Sequence, residues 1–186
     1  MRGQRVLFED FSFAADAGGY VELHGANGSG KTSLLRALAG FLKPRAGRIL
    51  YANVEEPATA LHFIGHANAL KRGASVRDHV RYWEGLFGSR CEESIGIAAF
   101  GLSKQADLPV RVLSQGQARR LSLMRLHIAP RPIWLLDEPA AALDAEGREM
   151  LAELIRSHCS SGGIAIAAVH EALGPAPSRT LMLGAT

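Results

Sequence analysis

Nine residues near the start of the chain restrict its fold more than any others: Gly25, Ala26, Asn27, Gly28, Ser29, Gly30, Lys31, Thr32 and Ser33, a run of the form G-x-x-x-x-G-K-[ST]. Phosphate oxygens need several backbone N–H donors converging on one point, with no Cβ in the way. Gly25, Gly28 and Gly30 permit that approach, and a helix following the run adds the positive end of its dipole. Lys31 supplies a mobile charge for the β and γ phosphates of a nucleotide, and Thr32 a hydroxyl for Mg²⁺. The run has this meaning only between a strand and a helix. Residues 20–24 (Y-V-E-L-H) read as the strand. Residues 31–39 read as the helix, with Leu34, Leu35 and Leu38 on one face and Gly40 placed to end it. A glycine-rich turn that matched by chance would lack both flanks.

The rest of the chain agrees with an α/β fold built on a largely parallel sheet. Further strands are expected at residues 48–54 and 61–64. The continuous apolar runs 133–136 and 164–169 suit central strands buried on both faces, and 181–183 suits a short last strand. Between them lies a section of different character, about 70–130. Ser75 and Asp78 have the spacing of a capping box, and Val76, Val80, Trp83 and Phe87 follow at helical spacing. A weaker helical pattern covers 92–99.

Composition narrows the function. With 186 residues the chain has room for one domain, and 47% hydrophobic and 21% charged residues are ordinary for a globular one. No segment approaches the about 20 apolar residues of a membrane helix. Glu9, Asp10 and Asp16 break any apolar leader at the start. A cytosolic protein is expected, with any membrane role reached through a partner. Cys91 and Cys159 form no metal or haem pattern and read as ordinary thiols. The net charge is only +3. Basic residues gather at Lys71-Arg72, Arg119-Arg120 and Arg125, but without the long run or interleaved aromatics of a nucleic-acid binder, so no nucleic-acid partner is expected.

Two further motifs carry chemistry. The apolar run at 133–136 ends in Asp137 and Glu138, which places both carboxylates at the C-terminal edge of the sheet, beside the phosphate loop. There Asp137 would hold Mg²⁺ and Glu138 would polarise an attacking water. An acidic pair at a strand end is by itself more often a solvated turn; its position behind a phosphate loop favours the chemical role. The second motif is L-S-Q-G-Q at 113–117, where Ser114 can cap a helix and Gly116 lets the backbone approach an anion. As a bare pattern it is weak. Its order and spacing relative to Asp137 make the chain resemble the ABC-type ATPases.

The resemblance extends residue by residue. The segment A-A-L-D ending at Asp144 is similar to that family's D-loop, and His170 falls where the family places the switch histidine that contacts the γ-phosphate. Gln117 completes the signature peptide. Two positions depart from the pattern. His66 stands where the family carries its Q-loop glutamine; a neutral imidazole nitrogen can accept a hydrogen bond there, whereas a protonated one opposes Mg²⁺. The adenine-stacking aromatic would fall on Arg2, whose guanidinium plane can also stack on a base. An upstream start, or looser adenine contacts, would each account for it. Within the family, residues 27–40, residues 64–67 with Leu70-Lys71, and residues 134–139 with 142–144 resemble the ATP-binding subunits of cytochrome c biogenesis, or haem export, systems.

What the resemblance implies is a single ABC ATPase domain: a P-loop NTPase core of RecA-like type at about 1–69 and 131–186, a small antiparallel β portion, and a helical signature subdomain at about 70–130. It implies ATP and Mg²⁺ held on residues 25–33 of one subunit, with Ser114 and Gly116 of a second copy closing over the γ-phosphate in a homodimer. It further implies integral membrane subunits as partners, and a peripheral place on the cytoplasmic face of the inner membrane. A cytosolic ATP-gated module without transport is the alternative. A P-loop kinase is disfavoured by the 113–117 peptide, by His170 and by the lack of a lid-like segment.

Overall fold

Alternation of side chains along each strand decides how this chain layers. In β1 (Tyr20–His24), Tyr20 joins one apolar cluster while Val21 and Leu23 join another. The same split recurs in β3 (Ile133–Asp137), where Trp134 and Leu136 face the first cluster and Ile133 and Leu135 the second. In β4 (Ile164–Ala168), Ala165 and Ala167 oppose Ile166 and Ala168. Strands buried on both faces are what the middle of a parallel sheet requires. The computed structural model describes residues 6–88 and 93–184. In it these strands join β2 (Leu61–Ile64) and β5 (Arg179–Met182) in one sheet of order β2-β3-β4-β1-β5. Every ladder in it is parallel.

Helices cover both faces. α1 (Lys31–Leu38) lays Leu34 and Leu35 on the second cluster. The first cluster is filled from α3 (Val76–Phe87), α4 (Glu93–Ala99), α5 (Gln115–Ile128) and α6 (Ala145–Ser160), through Val80, Trp83, Ile97, Leu123, Leu151 and Ile155 among others. A single turn, α2 (Pro57–Ala60), leads into β2.

Helix ends follow the sequence signals. At the end of α1, Gly40 adopts φ 78°, its N–H bonds to Ala37 O at 3.0 Å, and Phe41 N–H bonds to Arg36 O at 2.9 Å. This is a Schellman closure, which needs the left-handed residue that glycine supplies without strain. At the start of α3, Ser75 Oγ accepts from Asp78 N at 3.0 Å, and Asp78 Oδ2 accepts from Ser75 N at 2.8 Å. The expected capping box is present.

Residues 48–54 form no strand. Their residues are mostly exposed, Leu50 to 75%, and Asn53 turns the chain with φ 57°. Only Tyr51 and Val54 pack, against the second cluster, and the Tyr51 hydroxyl donates to Leu38 O. A lone extended segment without a ladder partner leaves its backbone to water. The expected small antiparallel β portion is not shown: among the described residues the antiparallel pairing is an isolated bridge, Ser75 with Pro109. The expectation for Arg2, and the residues around Cys91, lie outside the described residues.

Candidate functional site

The sheet order brings the functional ends together. β4 lies between β3 and β1, so the chain leaving β1 crosses the end of β4 to start α1 over β3. Ligands of open parallel sheets sit at such carboxyl ends. The loop after β1 is built on glycines that no other residue could replace. Gly25 has φ 139°, and a Cβ there would meet Leu183 O at 2.3 Å; Gly30 has φ 106°, and its Cβ would strike the Phe8 ring at 2.6 Å. Ala26, Asn27 and Gly28 are exposed at the tip of the loop, and Ser29 N–H bonds Ala26 O at 3.1 Å to close the turn. Among the described residues the buried Ser29 hydroxyl has no partner.

Lys31, Thr32 and Ser33 form the first turn of α1. Lys31 curls back over the loop, its ammonium donating to Gly25 O at 2.7 Å and Ala26 O at 3.2 Å. Thr32 Oγ1 donates to Asp137 Oδ1 at 3.0 Å, joining the helix start to the end of β3. Burial pushes the Asp137 carboxyl up from its ordinary range, and the Thr32 hydrogen bond works against that shift. A hydroxyl and a carboxylate, both hard oxygens, suit a small divalent cation that takes its remaining ligands from phosphate and water.

Glu138 follows Asp137 with φ 51°, a left-handed conformation unusual for a residue with a side chain. Its carboxylate is bracketed by two imidazoles. His170 Nε2 lies 3.1 Å from Oε1, and His66 Nδ1 lies 3.4 Å from Oε2. The structure therefore brings Lys31, Thr32, Asp137, Glu138, His170 and His66 to one edge of the sheet. A carboxylate oriented by neighbouring imidazoles can polarise water for attack on an electrophile.

The second motif lies elsewhere in the same molecule. Ser114 is the N-cap of α5, its Oγ accepting from Gln117 N at 3.1 Å while Gln117 Oε1 accepts from Ser114 N at 2.9 Å. Gly116 is pressed onto the loop after β3, where a Cβ would meet Ala142 O at 2.8 Å. Asp144 caps α6 by accepting from Gly147 N at 2.9 Å, and it accepts from Arg120 Nη2 at 2.6 Å, which holds its carboxyl below the usual range. Among the described residues no hydrogen bond joins Ser114, Gly116 or Gln117 to the phosphate loop.

Of the basic residues that gather in the sequence, Lys71 and Arg72 are exposed and Arg125 is half-buried, but the Arg119-Arg120 pair is internal. Arg119 and Arg120 are 2% and 8% exposed. Arg120 serves Asp144 and Glu146, and Arg125 lies over the Trp83 ring at 5.6 Å. Arg119 stands behind the acidic pair, which sequence reasoning missed; two arginines in succession read as surface charge unless the helix that carries them is known to be buried. Burial lowers the Arg119 guanidinium to about 10, still charged at neutral pH.

The description of the ABC transporter family matches residues 8–141, which run from before the phosphate loop to just past the acidic pair. The chain belongs to the ABC transporter family. Relatives of this ABC protein include the cytochrome c biogenesis ATP-binding export protein of Rhodopseudomonas palustris (strain HaA2), 45% identical over 190 residues, covering 100% of this chain and 94% of the relative. The protein of the same description from Bradyrhizobium diazoefficiens is 45% identical over 99% of this chain and 94% of its own length. Among solved structures, a putative ABC transporter ATP-binding protein from Pyrococcus furiosus matches the fold with a TM-score of 0.77 at 25% identity, covering 91% of this chain and 86% of that one. The chain is thus an ATPase. No helix among the described residues is long and apolar enough to cross a membrane.

Proposed function

We propose that the chain is the ATP-hydrolysing subunit of a membrane ABC complex in cytochrome c biogenesis or haem export. Residues 25–33 hold the triphosphate, with Lys31 turning from Gly25 O and Ala26 O to the β and γ phosphates. Thr32 and Asp137 hold Mg²⁺, which when bound neutralises charge on the phosphates. Glu138 orients and polarises the attacking water, and His170 and His66 fix its carboxylate. The protein's part in this in-line transfer is position and charge more than covalent chemistry.

In this reading the site is completed by a second copy. Ser114, Gly116 and Gln117 of that copy close over the γ-phosphate, and Asp144 contributes from the loop beside it. One observation supports that arrangement: among the described residues no hydrogen bond joins the α5 N-terminus to the phosphate loop of the same chain. Motion of the helical section, about 70–130, against the core at about 1–69 and 131–186 then passes from the His66 loop to integral membrane subunits. The subunit would sit peripherally on the cytoplasmic face of the inner membrane.

The bracketing of Glu138 by His170 and His66, next to the Thr32–Asp137 pair, carries the reading. Glu138→Gln keeps the shape and removes the charge that polarises water. With saturating ATP and Mg²⁺ this variant is expected to hydrolyse at least about a hundredfold more slowly and to run as a dimer by light scattering. A monomer under those conditions would overturn the composite site.

A further inference from the structure

The geometry points to Arg119 as a positioning residue that ties the signature helix α5 to both groups flanking the reactive carboxylate, the Glu138 turn and the His66 loop. A guanidinium offers five N–H donors in a fixed planar fork, and here all five directions are used. Nε donates to Pro139 O at 2.9 Å. Nη2 donates to Asp137 O at 3.1 Å and Glu138 O at 2.8 Å. Nη1 donates to Gly65 O at 2.8 Å and to Asn68 Oδ1 at 3.1 Å.

Three of these acceptors are successive carbonyls of the turn in which Glu138 holds φ 51°. The β3 ladder ends at Asp137 and the chain then turns away, so the carbonyls at this end need donors from outside the sheet. The other two acceptors sit on either side of His66. One side chain therefore sets, from behind, where Glu138 and His66 meet in front. Among the described residues Arg119 makes no hydrogen bond to the phosphate loop or to the carboxylate of Glu138; it acts through four backbone carbonyls and the Asn68 side chain.

Its place in the fold gives this contact a second consequence. Arg119 lies one helical turn from Gly116, on a helix whose N-cap is Ser114. A tilt of α5, such as closure of its N-terminus on another molecule would impose, acts on five hydrogen bonds together. The His66 loop and the Glu138 turn then shift as one body with α5. Lysine cannot replace this, because a point charge cannot span acceptors on two segments.

The inference rests on Glu138 acting in ATP hydrolysis, and the test separates the two. Steady-state ATPase activity is measured on the full chain, with Arg119→Lys, Asn68→Ala, His66→Ala and the Arg119→Lys/His66→Ala pair, beside fluorescent-nucleotide binding. An inactive parent chain would defeat the hydrolysis reading itself. With an active parent, Arg119→Lys is expected to lower kcat about tenfold or more while KM for ATP and nucleotide affinity stay within about twofold. Asn68→Ala, which cuts one bond to the His66 loop, is expected to lower kcat by a few-fold in the same pattern. The double variant is expected to lose little more than the worse single one, because both act on the same contact. Unchanged kcat, a rise in KM alone, or multiplicative losses in the double variant would overturn the inference. Should Arg119→Lys fail to fold, Asn68→Ala decides alone: a parent-like kcat overturns it.

Discussion

At the scale of single residues, the site is a set of side chains each held by one or two short contacts. Lys31 is the clearest case. It is 7% exposed, and its charge is met by two backbone carbonyls of its own loop. Those neutral partners hold the ammonium in place until a stronger anionic partner competes for it. Lys31→Ala is therefore expected to leave the loop intact and to weaken ATP binding by at least about a hundredfold, read by fluorescent-nucleotide titration. Affinity within about threefold of the parent would remove Lys31 from phosphate binding. These residues were legible in the sequence because their chemistry leaves little choice: glycines for close approach, a lysine for phosphate, acids at a strand end. Arg119 was not legible. Its role depends on which way α5 faces, and that is decided by apolar neighbours far away in the chain.

Elements show the same division. β1, β3, β4 and the capped starts of α3 and α5 stand where the apolar runs, the Ser75–Asp78 spacing and the capping Ser114 put them. The expected strand at 48–54 is absent because strand pattern alone supplies no partner, and Asn53 turns the chain away. α2 is too short for periodicity to reveal. One inter-element tie has a consequence for acid stability. His62 on β2 is 6% exposed, lies edge-on to Phe87 of α3, and donates to Ala129 O at the end of α5 with N···O 2.6 Å. Burial lowers it from 6.5 to about 4, against the opposing effect of the Ala129 hydrogen bond. Between those values the unfolded chain takes up a proton that the folded chain refuses. Stability should therefore fall as pH drops from 6.5 to about 4 and level off below, by up to about 3 kcal/mol from this residue. His158, stacked on Trp134 and also lowered by burial, acts in the same sense. His62→Gln should flatten the pH dependence of urea unfolding over this window; an unchanged slope would show that His62 titrates alike in both states.

At the scale of the whole molecule, the sheet order carries a consequence in time. β1, which leads into the phosphate loop, pairs only with β4 and β5 among the described strands, and both are made long after it. Until they emerge from the ribosome, β1 lacks the sheet partners that hold it. β2 must wait as well, since its partner is β3. Contacts so distant along the chain make folding slow and leave apolar strands open in the meantime. A chain ended after residue 160 retains every motif of the phosphate loop and the acidic pair, yet it should bind no ATP in the same titration; binding at the parent's affinity would mean that the loop forms without its sheet. For the cell, nucleotide becomes a reporter of the assembled sheet. Until β4 and β5 have threaded beside β1, the nascent subunit has no ATP site to present, so a copy at that stage cannot enter a cycle of ATP turnover.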